Sequence, residues 1–253
     1  MLFRSKRRRS PLYIQLKEII RAKIEDGEYA PGSSIPSENQ LAETYGINRV
    51  SVHSALSALE GEGLIKSVQG KGFFVVGPKV THDLEALGGF HQTLLDSRCG
   101  QNTKVMIKAI REAGPFYSQV LGVEENEEIW YIKRLCMFDG EPVALEELYI
   151  PCKYISGLED VDITLFDIFD VYHWNGIRLF RGEQKLSVSR LDPAAARLIG
   201  IKDTNVVIEF TGVIYDEENR VIEFSRRYTR KDKSEYIVND GQIRKPRPKI
   251  KKI

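Results

Sequence analysis

Between residues 37 and 76 the chain carries a spacing that few folds satisfy. Ser37 is followed three residues later by Gln40, a capping box that predicts a helix from Glu38 to Tyr45. Ala42 places a small side chain within that helix. Gly46 supplies a left-handed turn after it, and Val52 brings an apolar side chain back early in a further helix, from about Arg49 to Glu62. Ile47, Ala55, Leu56 and Leu59 complete the inward positions, and Gly63 ends the run. Two helices that cross at a small residue, turn at a glycine and lock through an aliphatic side chain make a helix–turn–helix. Any helical hairpin with a glycine turn can imitate it, so the flanks decide. Upstream, Ser10-Pro11 reads as an N-cap and first turn for a helix carrying Leu12, Leu16, Ile19, Ile20 and Ile24, with a stop at Gly27. Downstream, Leu64–Val68 and Phe73–Val76 flank Gly70-Lys71-Gly72, which reads as a β-hairpin. A helix before and a hairpin after make the expected unit a winged helix.

Charge separates this unit from the rest. The whole chain of 253 residues has a formal net charge of +1. Residues 1–79 hold 12 basic and 8 acidic side chains, residues 80–243 hold 19 and 28, and residues 244–253 hold six basic ones and no acid. A basic front on an acidic body suggests that one end meets a polyanion while the body does something else. With 42% hydrophobic residues, disorder of the whole chain is excluded. No apolar run is long enough for a membrane helix, and the basic Met1–Arg9 leads into no apolar stretch, so neither membrane nor signal peptide is expected. Cys99, Cys136 and Cys152 are odd in number and lack CxxC spacing, which argues against a disulfide framework or zinc cluster and for a cytoplasmic location. Cys136, in an apolar strand, is expected to be a buried structural thiol.

Beyond Gly77-Pro78-Lys79 the texture changes. Strands are expected over 104–111, 129–138, 143–150, 177–190, 206–215 and 221–229, and helices over 90–97, 164–172 and 193–199. This mixture predicts an α+β domain around a mainly antiparallel sheet. The predicted organisation is a basic arm (1–10), a winged helix–turn–helix (11–76), a linker (77–82), a second domain (83–243) and a basic tail (244–253).

The third helix begins with residues suited to double-stranded DNA. Its N-terminus attracts phosphate. Arg49 can pair with guanine O6/N7 or grip a phosphate, and Ser51 can bond either. His53 can donate to both, adding charge only when protonated. Asn48 is exposed beside them, and Asn39 on the preceding helix can bond adenine or a backbone oxygen. Lys71, between glycines at the wing tip, suits the minor groove or its phosphates.

Pro11-Leu12-Tyr13, Gln15-Leu16, Pro36-Ser37-Glu38, Leu41-Ala42, Asn48-Arg49 and Gly70-Lys71-Gly72 resemble the N-terminal domain of GntR-type bacterial transcription regulators. The resemblance implies a DNA-reading set of Ser37, Asn39, Asn48, Arg49, Ser51, His53, Lys71 and Gly72. Asn39 stands where that family usually has arginine, and Ser51-Val52-His53 where it usually has Thr-Val-Arg. Lys133-Arg134-Leu135, Asp139-Gly140-Glu141-Pro142-Val143, Glu146, Tyr149-Ile150-Pro151, the turn from Asp216 to Arg220, Glu223 and Arg230-Lys231-Asp232 resemble the UTRA ligand-binding domain of the HutC-type subfamily. That resemblance implies a chorismate lyase-like fold, a homodimer and a small-molecule effector such as a sugar phosphate, amino sugar or small carboxylate. It implies anion binding at Arg134, with Cys136 in place of a second arginine, and at Thr164 opening a helix, with Phe166 where the family has tyrosine. Glu146 and Glu223 are candidates for sugar hydroxyls or an amine, and Arg178, Tyr228 and Arg230 are further candidates.

No catalytic residue, metal ligand or cofactor motif is assigned. His82, His91 and His173 form no i, i+4 pair, and nucleophile-elbow, Walker and Rossmann patterns are missing. The expected function is a ligand-responsive repressor released from a palindromic operator. The alternatives are a constitutive dimeric regulator and an enzyme fused to a DNA-binding head.

Overall fold

The computed structural model describes residues 11–77, 103–201 and 205–230. The predicted arm, most of the linker, the helix expected over 90–97, the basic tail, His82 and His91 lie outside the described residues.

The first unit has α1 (Leu12–Glu25), α2 (Glu38–Tyr45), α3 (Arg49–Gly61), β1 (Ile65–Val68) and β2 (Gly72–Val75). Capping sets its boundaries. Ser37 and Gln40 form the reciprocal capping box of α2, and Asn48 caps α3 by accepting from the Ser51 amide. Gly46 ends α2 at φ 64°, a left-handed conformation that costs a side chain with a Cβ more than it costs glycine. At α1 the N-cap is Pro11 rather than Ser10, and no side chain caps it; the fixed φ of proline makes the entry. One apolar cluster joins Leu16 and Ile20 of α1, Leu41 of α2, Val52, Ala55, Leu56 and Leu59 of α3, and Ile65 and Val75 of the hairpin. The loop before α2 adds to the wing, with Ile35 N–H donating to Phe73 O at 2.8 Å and Gly32 N–H to Val75 O at 2.9 Å.

The second unit has β3 (Thr103–Glu112), α4 (Gly114–Leu121), β4 (Glu128–Phe138), β5 (Glu141–Pro151), 3₁₀ turns at Cys152–Tyr154 and Leu158–Asp160, α5 (Ile168–Trp174), β6 (Leu179–Arg190), α6 (Pro193–Leu198), β7 (Val206–Asp216) and β8 (Val221–Thr229). Its strands form a six-stranded sheet in the order β3-β4-β5-β8-β7-β6, and every ladder is antiparallel. Because side chains alternate between faces, each strand divides its residues between two environments. On one face Trp130, Ile132, Leu148, Ile150, Ile214 and Ile222 pack under α5 and the 3₁₀ turns. On the other, α4 covers Ile129, Tyr149 and Phe224, and α6 covers Leu135, Leu145 and Val207.

Three local expectations need correction. The helix predicted from Thr164 starts at Ile168, because Asp167 and Asp170 form a capping box that fixes its first turn there. α4 was not expected at all; its short apolar run, opened by Gly114-Pro115, lacks a helical stripe long enough to register. Cys136 is 1% exposed but disulfide-bonded rather than a free thiol, while Cys152 is free. A disulfide needs only approach in space, which no CxxC spacing reports.

Leu59 is fully buried in the head. Leu59→Ala should cost about 2–5 kcal/mol, measured by urea unfolding. A loss below about 1 kcal/mol would show that α3 does not pack tightly at this position.

Candidate functional site

On the head, the predicted readers divide into two groups. Ser37 and Asn48 are committed to helix caps, with Ser37 Oγ donating to Gln40 Oε1 at 2.9 Å and Asn48 Oδ1 accepting from Ser51 N–H at 2.8 Å. They fix where α2 and α3 begin. Asn39, Arg49, His53, Lys71 and Gly72 are exposed, and Ser51 is half-buried. Sequence reasoning missed what joins them. Glu38, inside the first turn of α2, accepts from Arg49 Nη2 at 3.3 Å through one oxygen and meets His53 Nδ1 at 2.8 Å through the other. Hydrogen bonding to His53, and then to Arg49, holds its carboxyl below the usual range despite partial burial. One carboxylate therefore orients two long side chains of α3 along the exposed face. The Pro-Ser-Glu motif contained the clue, but its spacing reveals the cap and not this second task.

Lys71 is not free at the wing tip. Its ammonium donates to Asp162 Oδ2 at 2.8 Å and Thr164 Oγ1 at 2.9 Å.

In the second unit, β-sheet register decides which candidates meet. Arg134 on β4 faces Glu146 on β5, and Glu146 faces Arg227 on β8. Arg134 is 2% exposed and Glu146 5%, and Arg134 Nε donates to Glu146 Oε2 at 2.5 Å. Arg134 Nη2 is buried without a hydrogen-bond partner. Glu223, two pleats along β8 from Arg227, is 1% exposed and accepts from Tyr172 Oη at 2.5 Å. Arg134, Glu146 and Glu223 thus share one face, with Arg227 opposite Glu146 and Tyr172 on Glu223, two residues that sequence reasoning missed. Arg227 was findable, since it alternates in phase with Glu223. Tyr172 was not, since α5 reaches Glu223 from 51 residues away.

Four candidates are placed differently from expectation. Tyr228 lies on the opposite face, paired with Leu145 and packed against the α6 cluster, because it is out of phase with Glu223. Arg230 also turns away, donating from Nη1 to Ile199 O at 3.3 Å behind α6. Arg178 lies in the turn before β6, with its side chain 79% exposed and an ion pair to Glu217 at 3.9 Å. Thr164 does not open a helix. Its N–H donates to Asp162 Oδ1 at 2.9 Å and its hydroxyl to the same oxygen at 2.6 Å. Phe166 packs edge-on against Trp174 of α5, with ring centroids 5.2 Å apart.

Buried arginine and glutamate on facing strands place charged donors and acceptors on one face of the sheet. They match the hydroxyls, amines and anionic groups of a small polar molecule. No nucleophile–base pair accompanies them among the described residues. Burial pushes the Cys152 thiol up to about 11, away from thiolate chemistry at neutral pH.

The comparisons agree with this division. Residues 12–75 match the model of bacterial regulatory proteins of the gntR family, and residues 100–235 match the UTRA domain. The mannosyl-D-glycerate transport/metabolism system repressor MngR of Escherichia coli is 29% identical over 216 residues, covering 85% of this chain and 90% of that protein. The HTH-type transcriptional repressor NagR of Bacillus subtilis is 26% identical over 227 residues, covering 90% and 93%. Among solved structures, PhnF from Mycobacterium smegmatis aligns at a TM-score of 0.51 and 20% identity over 91% of this chain and all of that one, a likeness of fold. The relatives are transcription regulators, not enzymes.

Glu146→Ala leaves the Arg134 guanidinium buried without its carboxylate, and should cost about 3–5 kcal/mol in urea unfolding. A cost near zero would mean that Arg134 reaches water. Alkylation of Cys152 should be slow at pH 7.5 and rise about tenfold per pH unit toward its raised pKa; fast labelling at neutral pH would contradict the burial.

Proposed function

Because the chain belongs to the GntR family of bacterial transcription regulators and carries that family's UTRA domain, we propose that it is a repressor released from its operator by a small polar or anionic effector. The observation that carries this reading is the buried face of Arg134, Glu146 and Glu223, which spends three ionisable side chains where hydrocarbon would pack more cheaply. An exchangeable ligand with hydroxyl, amine or anionic groups accounts for them. The buried Nη2 of Arg134 offers a donor for a carboxylate or phosphate. Two relatives carry names that mention such compounds, mannosyl-D-glycerate and fructoselysine, both rich in hydroxyls. Sugar phosphates, amino sugars and small carboxylates remain the effector classes of choice.

The DNA-reading set is Arg49, Ser51, His53 and Asn39, with Glu38 holding Arg49 and His53 in place, Ser37 and Asn48 setting the helix starts, and Lys71 and Gly72 forming the wing tip. The head, residues 11–76, would read a near-palindromic operator as one half of a cytoplasmic homodimer built on the domain spanning 83–243. The effector acts by binding one arrangement of the two heads better than the other.

A thermal-shift screen of sugar phosphates, amino sugars, amino acids and small carboxylates tests the effector half. A bound ligand at a hundredfold excess over its Kd stabilises by about 2.7 kcal/mol. One compound class should raise Tm selectively and lower operator affinity in a gel shift. A compound that saturates the protein and leaves operator affinity unchanged is not the effector, and a screen with no selective compound favours constitutive repression. For the DNA half, Arg49→Ala should weaken specific binding by about 1–3 kcal/mol and relax base preference at one position per half-site. Unchanged affinity and preference would remove Arg49 from the interface.

A further inference from the structure

The contact between the wing and the second unit joins Lys71 of the proposed DNA-reading set to the segment around Asp162. Lys71 Nζ meets Asp162 Oδ2 at 2.8 Å and Thr164 Oγ1 at 2.9 Å. Asp162 is prepared for this contact. The Thr164 amide and hydroxyl both bond its Oδ1, which turns Oδ2 outward to the lysine. The segment ahead of Asp162 is pinned in turn. Lys108 of β3 donates to the carbonyls of Leu158 at 2.9 Å, Glu159 at 2.8 Å and Val161 at 2.9 Å, so three backbone acceptors hold to one ammonium. The result is a rigid acidic ledge rather than a loose loop.

Packing supports the same contact. Trp174 of α5 lies against the head at two points. A Cβ on Gly32 would stand 2.8 Å from its ring, and a Cβ on Gly77 would stand 1.9 Å from its Nε1. Val161 also borders Gly32. Head and body therefore approach too closely for any side chain at Gly77, and Trp174 in turn bears on Phe166. One short stretch, 161–166, touches the wing through Asp162 and Thr164, the rest of the head through Val161, and α5 through Phe166.

We infer that this stretch is an autoinhibitory latch, in which the Asp162 carboxylate takes the place of a DNA phosphate on Lys71 and holds the wing tip against the body. The inference rests on the proposed role of Lys71 at DNA. An ammonium bonded to Asp162 and Thr164 has its donors turned toward the body, and DNA approaching the latched wing would meet the negative charges of Glu159, Asp160 and Asp162. The latch must open for the wing to enter a groove. A single half-exposed ion pair is weak and readily exchanged, which suits a contact that DNA has to displace.

A double-mutant cycle on the full chain tests it. Binding to a duplex selected from a random-sequence pool is measured for the wild type, Asp162→Asn, Lys71→Ala and the double variant, with Asp160→Asn as a charge control. Asparagine keeps an oxygen for the Thr164 amide while losing the charge that holds Lys71. Asp162→Asn should tighten binding about twofold to fivefold in the wild-type background and leave it unchanged in the Lys71→Ala background. Equal tightening in both backgrounds means general charge repulsion and overturns the latch, as does equal tightening by Asp160→Asn or no tightening at all. The step from Asp162→Asn to the double variant reports separately on Lys71 as a DNA contact. If that step costs nothing, the assignment of Lys71 to DNA fails, whatever the first step shows.

Discussion

Strand alternation across six antiparallel strands is the constraint on which the rest of the second unit depends. A pleated sheet sends successive side chains to opposite faces, so each strand must satisfy two environments at once. Here one face is covered by α4 and α6 at its two ends. The other is covered by α5 and the 3₁₀ turns over part of its area. Further along that second face the pattern turns from hydrocarbon to charge, with Arg134 and Glu146 buried in register and Glu223 buried opposite Ile214. Charges so placed are tolerated only when each finds an opposite charge or a hydrogen bond. The ladder provides this by setting arginine opposite glutamate on neighbouring strands, and α5 completes it by delivering the Tyr172 hydroxyl to Glu223.

Much of this was legible in the sequence, and the reason differs by element. The head was readable almost residue by residue because its boundaries are set locally. The Ser37–Gln40 box, the Asn48 cap and the Gly46 turn all act within four residues of themselves. The strands were readable because they are β-branched and alternating, and β8 spans the residues expected for it. The site was harder. Arg134, Glu146 and Glu223 lie on one face of the sheet, but Tyr228 and Arg230 do not, and strand phase alone separates Tyr228 from Glu223. Thr164 was misjudged because Asp167 and Asp170 cap the helix so that it begins at Ile168, four residues later than the apolar run suggests. Contacts made across the fold, such as Tyr172 with Glu223 or Lys71 with Asp162, leave no trace in local spacing.

The charge division along the chain gains a physical meaning from these contacts. The acidic body and the basic head are not merely separate partners for separate ligands. They meet at Lys71 and Asp162, where an acidic side chain of one holds a basic side chain of the other. Trp174 adds a contact without charge, fitted to the space that Gly32 and Gly77 leave open.

Glu38 has a consequence for how such a head can change over time. Its two oxygens hold Arg49 and His53 together, so on the proposed DNA-reading role the two positions are not independent letters of a recognition code. A replacement at either alters the geometry of the other, and neighbours that share a partner do not behave additively. Drift toward a new binding sequence along this helix is therefore epistatic. On that proposed role, joint changes at positions 38, 49 and 53 are the route such a shared contact favours.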